Sequence, residues 1–374
     1  MEARSITLEE LLPHTEQARV TDPALVPVSP LRLQSYLHNP RAQLTDHVLF
    51  EMRENGRLIA YRTVLPDSLY GERGEPRRFA WLSGNYVLPE YRRKGISTAL
   101  LQQVEARWEG QLMYTNYAPA SKAVYDRTGQ FRLLRKREGT RFYLRAASAE
   151  LLKARLGESR ILKTGDQLVN LFVNKRLKGF DLSSGSEDNL WYEAVGEGNY
   201  TVTRLTVLDP PMATLIEKHN KQNLFRRDAG IFQWILDFPW VTAGDADPVP
   251  YHFSYRSEQF QNLLYKLESE HGKQLGLLWL LIHDRKLSIP YLFMDDEKLL
   301  RPMARVCMET IIRSELAHAT VRHEGLRREL KLYRKWFLSL RDMPQLIFAH
   351  RLIQESIPRE FTVHDGDGDV VFTG

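Results

Sequence analysis

Val87-Leu88-Pro89-Glu90-Tyr91-Arg92-Arg93-Lys94-Gly95-Ile96-Ser97-Thr98 is the stretch on which the reading of this chain turns. Ahead of it, Arg78 to Val87 reads as a strand. Behind it, Ile96 to Trp108 sets Ala99, Leu100, Val104 and Trp108 on one face at helical spacing. Pro89 stops the segment from continuing a sheet ladder. Three cations, a glycine and two hydroxyls then lead into the helix. A helix begins with free backbone N–H groups and a partial positive charge, so a loop of this kind suits a polyphosphate. Gly95 lacks a Cβ and lets the backbone come close to a pyrophosphate. Arg92, Arg93 and Lys94 add charge, and Ser97 and Thr98 offer hydroxyls in the first turn.

Outward from this loop the first half alternates strands and helices. His47 to Glu54 and Arg57 to Leu65 flank Asn55-Gly56 and read as a hairpin. Gln111 to Asn116 reads as a strand and Ser121 to Thr128 as a short helix, with Gly129 at its C-cap. Phe131 to Leu144 reads as a closing hairpin that turns at Glu138-Gly139-Thr140. Ala146 to Leu156 and Asp166 to Lys178 read as connecting helices, and the polar run Ser183 to Asn189 as a linker. The second half repeats the order without sequence identity. Pro211 to Asn220, Ala229 to Asp237 and Glu258 to Glu268 read as helices. Leu275 to His283 and Leu287 to Met294 form a hairpin, Asp296 to Glu315 is a helix, Ala317 to Arg322 a strand and Leu326 to Lys335 a helix. Phe337 to Leu340 and Gln345 to Leu352 close it as a strand pair.

Composition narrows the class. The 374 residues exceed one ordinary domain, and 43% apolar residues can fill two cores. A net charge of +5 is small for this length and scattered, unlike a nucleic-acid binder. The lone Cys307 excludes an internal disulfide and a thiolate zinc site and fits a reducing compartment. Leu275 to Ile282, the most apolar run, falls far short of the ~20 residues that span a bilayer. Met1 to Arg19 carries Glu2, Glu9, Glu10 and Glu16 and resembles no targeting peptide. A cytoplasmic protein is expected, with neither nucleic acid nor membrane as partner; a homodimer is admissible.

Val87 to Ser97 resembles the pyrophosphate loop of the GCN5-related N-acetyltransferases (GNAT superfamily), written Arg/Gln-x-x-Gly-x-Gly/Ala after a Val-x-Pro strand end. Arg92 and Gly95 match, and Ser97 stands where the last small residue falls. Ser121 to Gly129 resembles the second signature of that family, a helix with a tyrosine, here Tyr125, four residues before a glycine. Ala118 replaces the usual asparagine, for which Asn116 is a substitute, and the following aromatic is displaced to Phe131. The resemblance implies an α/β fold of two GNAT-like lobes, each a mixed, mostly antiparallel sheet flanked by helices. It divides the chain into an acetyltransferase domain (1–147), a helical connector and linker (148–199) and a degenerate second lobe (200–374).

The same resemblance implies acetyl-CoA as cofactor, with Val87, Arg92, Arg93, Lys94, Gly95, Ile96, Ser97, Thr98, Asn116 and Ser121 as its binding residues. It implies transfer of acetyl to a primary amine of a small molecule: an amino sugar, an amino acid derivative or an aminoglycoside. Tyr125 would protonate the departing thiolate. The two-residue period of a strand places 81, 83, 85 and 87 on one face, which offers Ser83 and Asn85 to the centre. Neither is a base; Glu51, Glu90 and a water relayed by Asn85 remain alternatives. A coenzyme A-binding sensor without turnover is the competing class.

In the second lobe the corresponding loop, Leu292 to Leu299, has no glycine and carries Asp295, Asp296 and Glu297, which should repel a pyrophosphate. Arg226-Arg227-Asp228 with Phe232 and Trp234 reads as a buried aromatic helix. Asp365 to Asp369 imitates the start of a calcium loop but lacks its closing glutamate, and reads as a flexible tail. No metal site is expected.

Overall fold

A computed structural model describes residues 1–21, 25–115, 117–149, 152, 157, 159–182, 185–186, 189–194, 198–244, 251–253 and 255–373. The chain divides into two compact units, each discontinuous. The first gathers Met1–Lys136, Glu217–Glu258 and Leu346–Thr373, and the second Arg137–Ile216 and Gln259–Gln345. The continuous division at 147 and 199 therefore differs from the one the structure makes.

The first unit holds a seven-stranded mixed sheet. Across it run Glu2–Thr7, His47–Glu54, Arg57–Tyr70, Pro76–Val87, Leu112–Tyr114, Gln345–His350 and Phe131–Arg137. The expected hairpin about Asn55-Gly56 is present, with Asn55 at φ 51° and Gly56 at φ 80°. One face is covered by the helices Ile96–Arg107 and Pro119–Thr128, which bury Leu100, Leu101, Val104, Val124 and Tyr125 against Phe50, Ile59, Val64 and Leu82.

The second sheet has nine strands. Its central hairpin, Gln274–His283 with Lys286–Met294, is followed by the helix Leu300–Arg313 and the strand His318–Val321. The helix lays Met303, Val306, Cys307 and Ile311 into the core.

Both closing strand pairs differ from the sequence expectation. Thr140–Tyr143 leaves Phe131–Arg137 and pairs with His318–Val321 and Ser339–Asp342 in the second sheet. Gln345–His350 leaves Ser339–Asp342 and pairs with Leu112–Tyr114 in the first. Each pair is split between the sheets because each short strand finds its ladder partner far away in sequence. Phe260–Ser269, expected as a helix, is a strand between Gly198–Leu205 and Gln274–His283. Its Leu263, Leu264 and Leu267 fit a helical stripe as well as a buried strand, and tertiary pairing decides. The expected linker Ser183 to Asn189 lies partly outside the described residues. Its described parts, Gly185–Ser186 and the start of Asn189–Ala194, are edge strands. The expected helix Ala146 to Leu156 falls mostly outside the described residues.

Candidate active site

The strand Pro76–Val87 positions the site. It pairs in parallel with Leu112–Tyr114 only at Ala80↔Leu112 and Trp81↔Met113. From Leu82 onward it runs free on that side and leaves a gap in the sheet. On its other side the register with Arg57–Tyr70 slips between Arg62 and Val64, so that Arg62 faces Asn85 while Val64 faces Leu82. This bulge at Ser83-Gly84 overturns the two-residue period that put 81, 83, 85 and 87 on one face. Asn85 turns toward the helix Ile96–Arg107, where its Nδ2 donates to Ser97 Oγ at 3.1 Å. Ser83 turns the other way.

The strand ends at Val87. A short 3-10 turn, Pro89–Tyr91, then leads into the loop. Tyr91 anchors it by donating to Glu54 at 2.6 Å, and Arg92 folds its Nε back onto the Val87 carbonyl at 3.1 Å. Arg93 has φ 62° and Gly95 φ 79°, two left-handed turns that aim successive amides outward. Gly95 is the N-cap of Ile96–Arg107 and no side chain caps that helix. Among the described residues, no acceptor lies against the N–H groups of residues 93–97. Arg92, Arg93, Lys94 and Gly95 are exposed, Ser97 and Thr98 half-buried, and Ile96 buried. A Cβ built on Gly95 meets nothing within 4 Å. The loop is thus an open, positively charged nest at a helix start.

Arg62, which sequence reasoning missed, joins this loop to Tyr125. Its side chain is fully buried. Nη1 donates to Tyr125 Oη at 2.9 Å and Nη2 to Ser97 Oγ at 3.3 Å. Among the described residues no carboxylate pairs with it, and its Nε has no partner. Glu105 acts on it only through space; burial pushes the Glu105 carboxyl above the usual carboxylate range, against the pull of Arg62. Tyr125 is buried and tilted against Tyr114 at 4.2 Å, and Tyr114 stacks on Phe348 at 4.7 Å. A buried cation in a hydrophobic strand was the available signal, since an arginine at such a position is rarely unpaired.

The other expected residues separate. Ser121 is half-buried in the first turn of Pro119–Thr128, and Asn116 lies outside the described residues. Glu51 is fully buried and held by His14 Nε2 at 2.9 Å and Arg53 Nε at 2.9 Å. Burial opposes its charge, but the hydrogen bonds and charges of His14 and Arg53 outweigh this and lower its pKa. A carboxylate so engaged has no free lone pair to take a proton from substrate. Glu90 makes an exposed pair with Arg57.

The cluster at 226–234 is structural. Asp228 caps Ala229–Asp237, and Phe232 and Trp234 are buried. Arg227 donates to Asp67 at 2.9 Å and reaches Asp367 at 3.4 Å. The tail read as flexible is in fact built into the first unit. Asp365, Asp367, Val371 and Phe372 are buried. Among the described residues no three His, Cys, Asp or Glu side chains could hold a metal ion, and no helix is long and apolar enough to cross a membrane.

Residues 15–129 match the acetyltransferase (GNAT) family model. They form a GNAT domain. Over 47 residues the chain is 56% identical to an aminoglycoside N(6')-acetyltransferase type 1 of Acinetobacter baumannii, a match covering 13% of this chain and 30% of that protein. The whole chain resembles Saccharomyces cerevisiae N-myristoyltransferase with bound myristoyl-CoA, at a TM-score of 0.52 and 11% identity over 93% of this chain and 82% of the other. A tandem GNAT protein from the clavulanic acid pathway aligns at a TM-score of 0.49 and 14% identity, over 93% and 97% of the two chains. At such identity these two likenesses concern the fold. The second unit has no counterpart of the amide nest at the equivalent turn: Asp296 caps it with its own carboxylate, donated to by the Lys298 amide at 2.9 Å.

Proposed function

We propose that the GNAT domain of this chain transfers an acyl group, acetyl in the first instance, from coenzyme A to a primary amine of a small molecule. The observation that carries this is the run of five outward amides at 93–97 without an acceptor, opening a helix beside a gap in the sheet. The diphosphate of coenzyme A suits that nest, with Arg92, Arg93 and Lys94 around it and Ser97 and Thr98 beneath. The pantetheine arm would run past Val87 into the gap that opens after Trp81, with Ser121 and Asn116 along its far side. The thioester then lies near Tyr125, whose hydroxyl accepts from Arg62 and keeps its own proton for the departing sulfur. Asn85 positions Ser97 at the start of the helix.

The printed activity of the Acinetobacter relative supports an aminoglycoside-type amine as one acceptor to try, and the bound thioester of the yeast structure supports an acyl-CoA donor. Calorimetry with coenzyme A and a thiol-release assay over a panel of amines test the proposal. Saturable heat together with amine-dependent thiol release is expected. Absence of heat removes the coenzyme reading, and binding without release on any amine removes turnover.

A further inference from the structure

The opposite face of Pro76–Val87 carries a carboxylate that the coenzyme reading leaves unused. The bulge turns Ser83 away from the helix Ile96–Arg107, and its Oγ donates to Asp369 Oδ2 at 2.5 Å. Both residues are half-buried, so the carboxylate sits deep yet unsealed. It is also firmly held. Gly368 lies against Thr115 and Trp81, where an added Cβ would meet Thr115 Cγ2 at 3.1 Å. Asp367, two residues before, reaches Arg227 at 3.4 Å, and Phe372, three residues after, stacks on Trp240 at 4.6 Å. The charged group facing Asp369 is Arg32, which is itself bonded to Tyr36, Thr63 and, at 3.4 Å, Tyr251. Burial pushes the Asp369 carboxyl up, against the hydrogen bond from Ser83 and the charge of Arg32. The strand that carries Ser83 has no partner on its gap side from the next residue back onward. The carboxylate therefore borders the opening in which the thioester is placed, on the side away from Tyr125.

Resting on the acyltransfer reading above, we infer that Asp369 is the proton acceptor for the attacking amine and that Ser83 positions it. The amine nitrogen forms a C–N bond to the thioester carbonyl carbon while an Asp369 oxygen takes one N–H proton. The C–S bond breaks as the tetrahedral adduct collapses, and the Tyr125 proton passes to sulfur. The products are an amide and a thiol. The two side chains recover their protonation states by exchange with water, so charge and atoms balance. A carboxylate at this place favours an aliphatic amine that arrives as its cation.

The test compares the wild-type chain with D369N and S83A in coenzyme A calorimetry and in the pH profile of kcat/KM for an amine acceptor. D369N keeps coenzyme affinity, loses roughly 10²–10⁴-fold in kcat/KM and loses the acid limb of the profile. S83A removes a hydrogen bond to the ionised form, so its acid limb moves to higher pH. D369N with wild-type turnover and the acid limb in place overturns the inference. Should D369N fail to melt cooperatively, S83A decides, and an unmoved limb overturns it. If the wild type takes up no coenzyme A, the acyltransfer reading falls first and this inference with it. If the wild type binds and turns over while D369N does likewise, only this inference falls.

Discussion

Arg62→Met separates activity from stability in a way that a merely structural arginine would not. The guanidinium is fully buried, donates to Tyr125 Oη at 2.9 Å and to Ser97 Oγ at 3.3 Å, and has no carboxylate partner among the described residues. A buried charge without a counter-ion loses its hydration and regains little, so an apolar residue of similar length is expected to leave stability unchanged or raise it. A hydrogen bond from a charged donor contributes about 1.5–3 kcal/mol. If that contribution is realised when Tyr125 gives its proton to sulfur, its loss lowers kcat/KM by roughly 10- to 150-fold at about 1.4 kcal/mol per decade. The melting temperature and steady-state thiol release, measured on the same preparation, read both effects. In a Tyr125→Phe background the same substitution should cost far less, because the two residues then act through one contact. Wild-type turnover in the single variant refutes the role. So does a loss in the double variant equal to the sum of the singles.

Two further outcomes follow from the geometry. Gly95→Val places a β-branched residue at φ 79°, where the cost is backbone strain of roughly 1–2 kcal/mol and no contact is made within 4 Å. Coenzyme A affinity by calorimetry should fall by more than the melting temperature suggests, and unchanged affinity counts against the nest. Glu51 has its folded pKa held below the unfolded value, so its ion pairs stabilise the protein above the ordinary carboxylate range and that contribution fades as pH falls through the lowered value. Urea midpoints of wild type and Glu51→Gln should differ near neutral pH and converge in acid; a gap that persists in acid contradicts the ionic origin.

The coenzyme loop was legible because its signals are local. A strand end, Pro89, clustered cations and Gly95 lie within a dozen residues, and their physics does not depend on distant chain. The order of strands and helices in each half was legible for the same reason. The exchange of Thr140–Tyr143 and Gln345–His350 between sheets was not, since a short apolar strand carries no mark of the ladder it will join. The bulge at Ser83-Gly84 was equally silent, and it reversed the face assigned to Ser83. The tail misled through composition. Asp367 and Asp369 look solvated in sequence, yet their partners Arg227 and Ser83 stand 140 and 286 positions away.

The buried polar groups of the first unit sort into two kinds, and the sorting explains which ones chemistry can use. Asp67 is fully engaged: Arg41, Arg227 and the Trp81 indole all donate to it, and although burial raises its pKa, Arg227 and Arg41 together hold it low. Glu51 is saturated in the same manner. Such carboxylates fix the register of strands and cannot take a proton at neutral pH. Arg62 and Asp369 are each under-matched in charge. Arg62 meets only hydroxyls, and Asp369 meets a hydroxyl with Arg32 farther off. They stand on opposite faces of one strand, beside the place where it parts from its neighbour. An incompletely compensated cation on one side and an incompletely compensated carboxylate on the other make that parting the place where a proton can leave an amine and another can reach a sulfur.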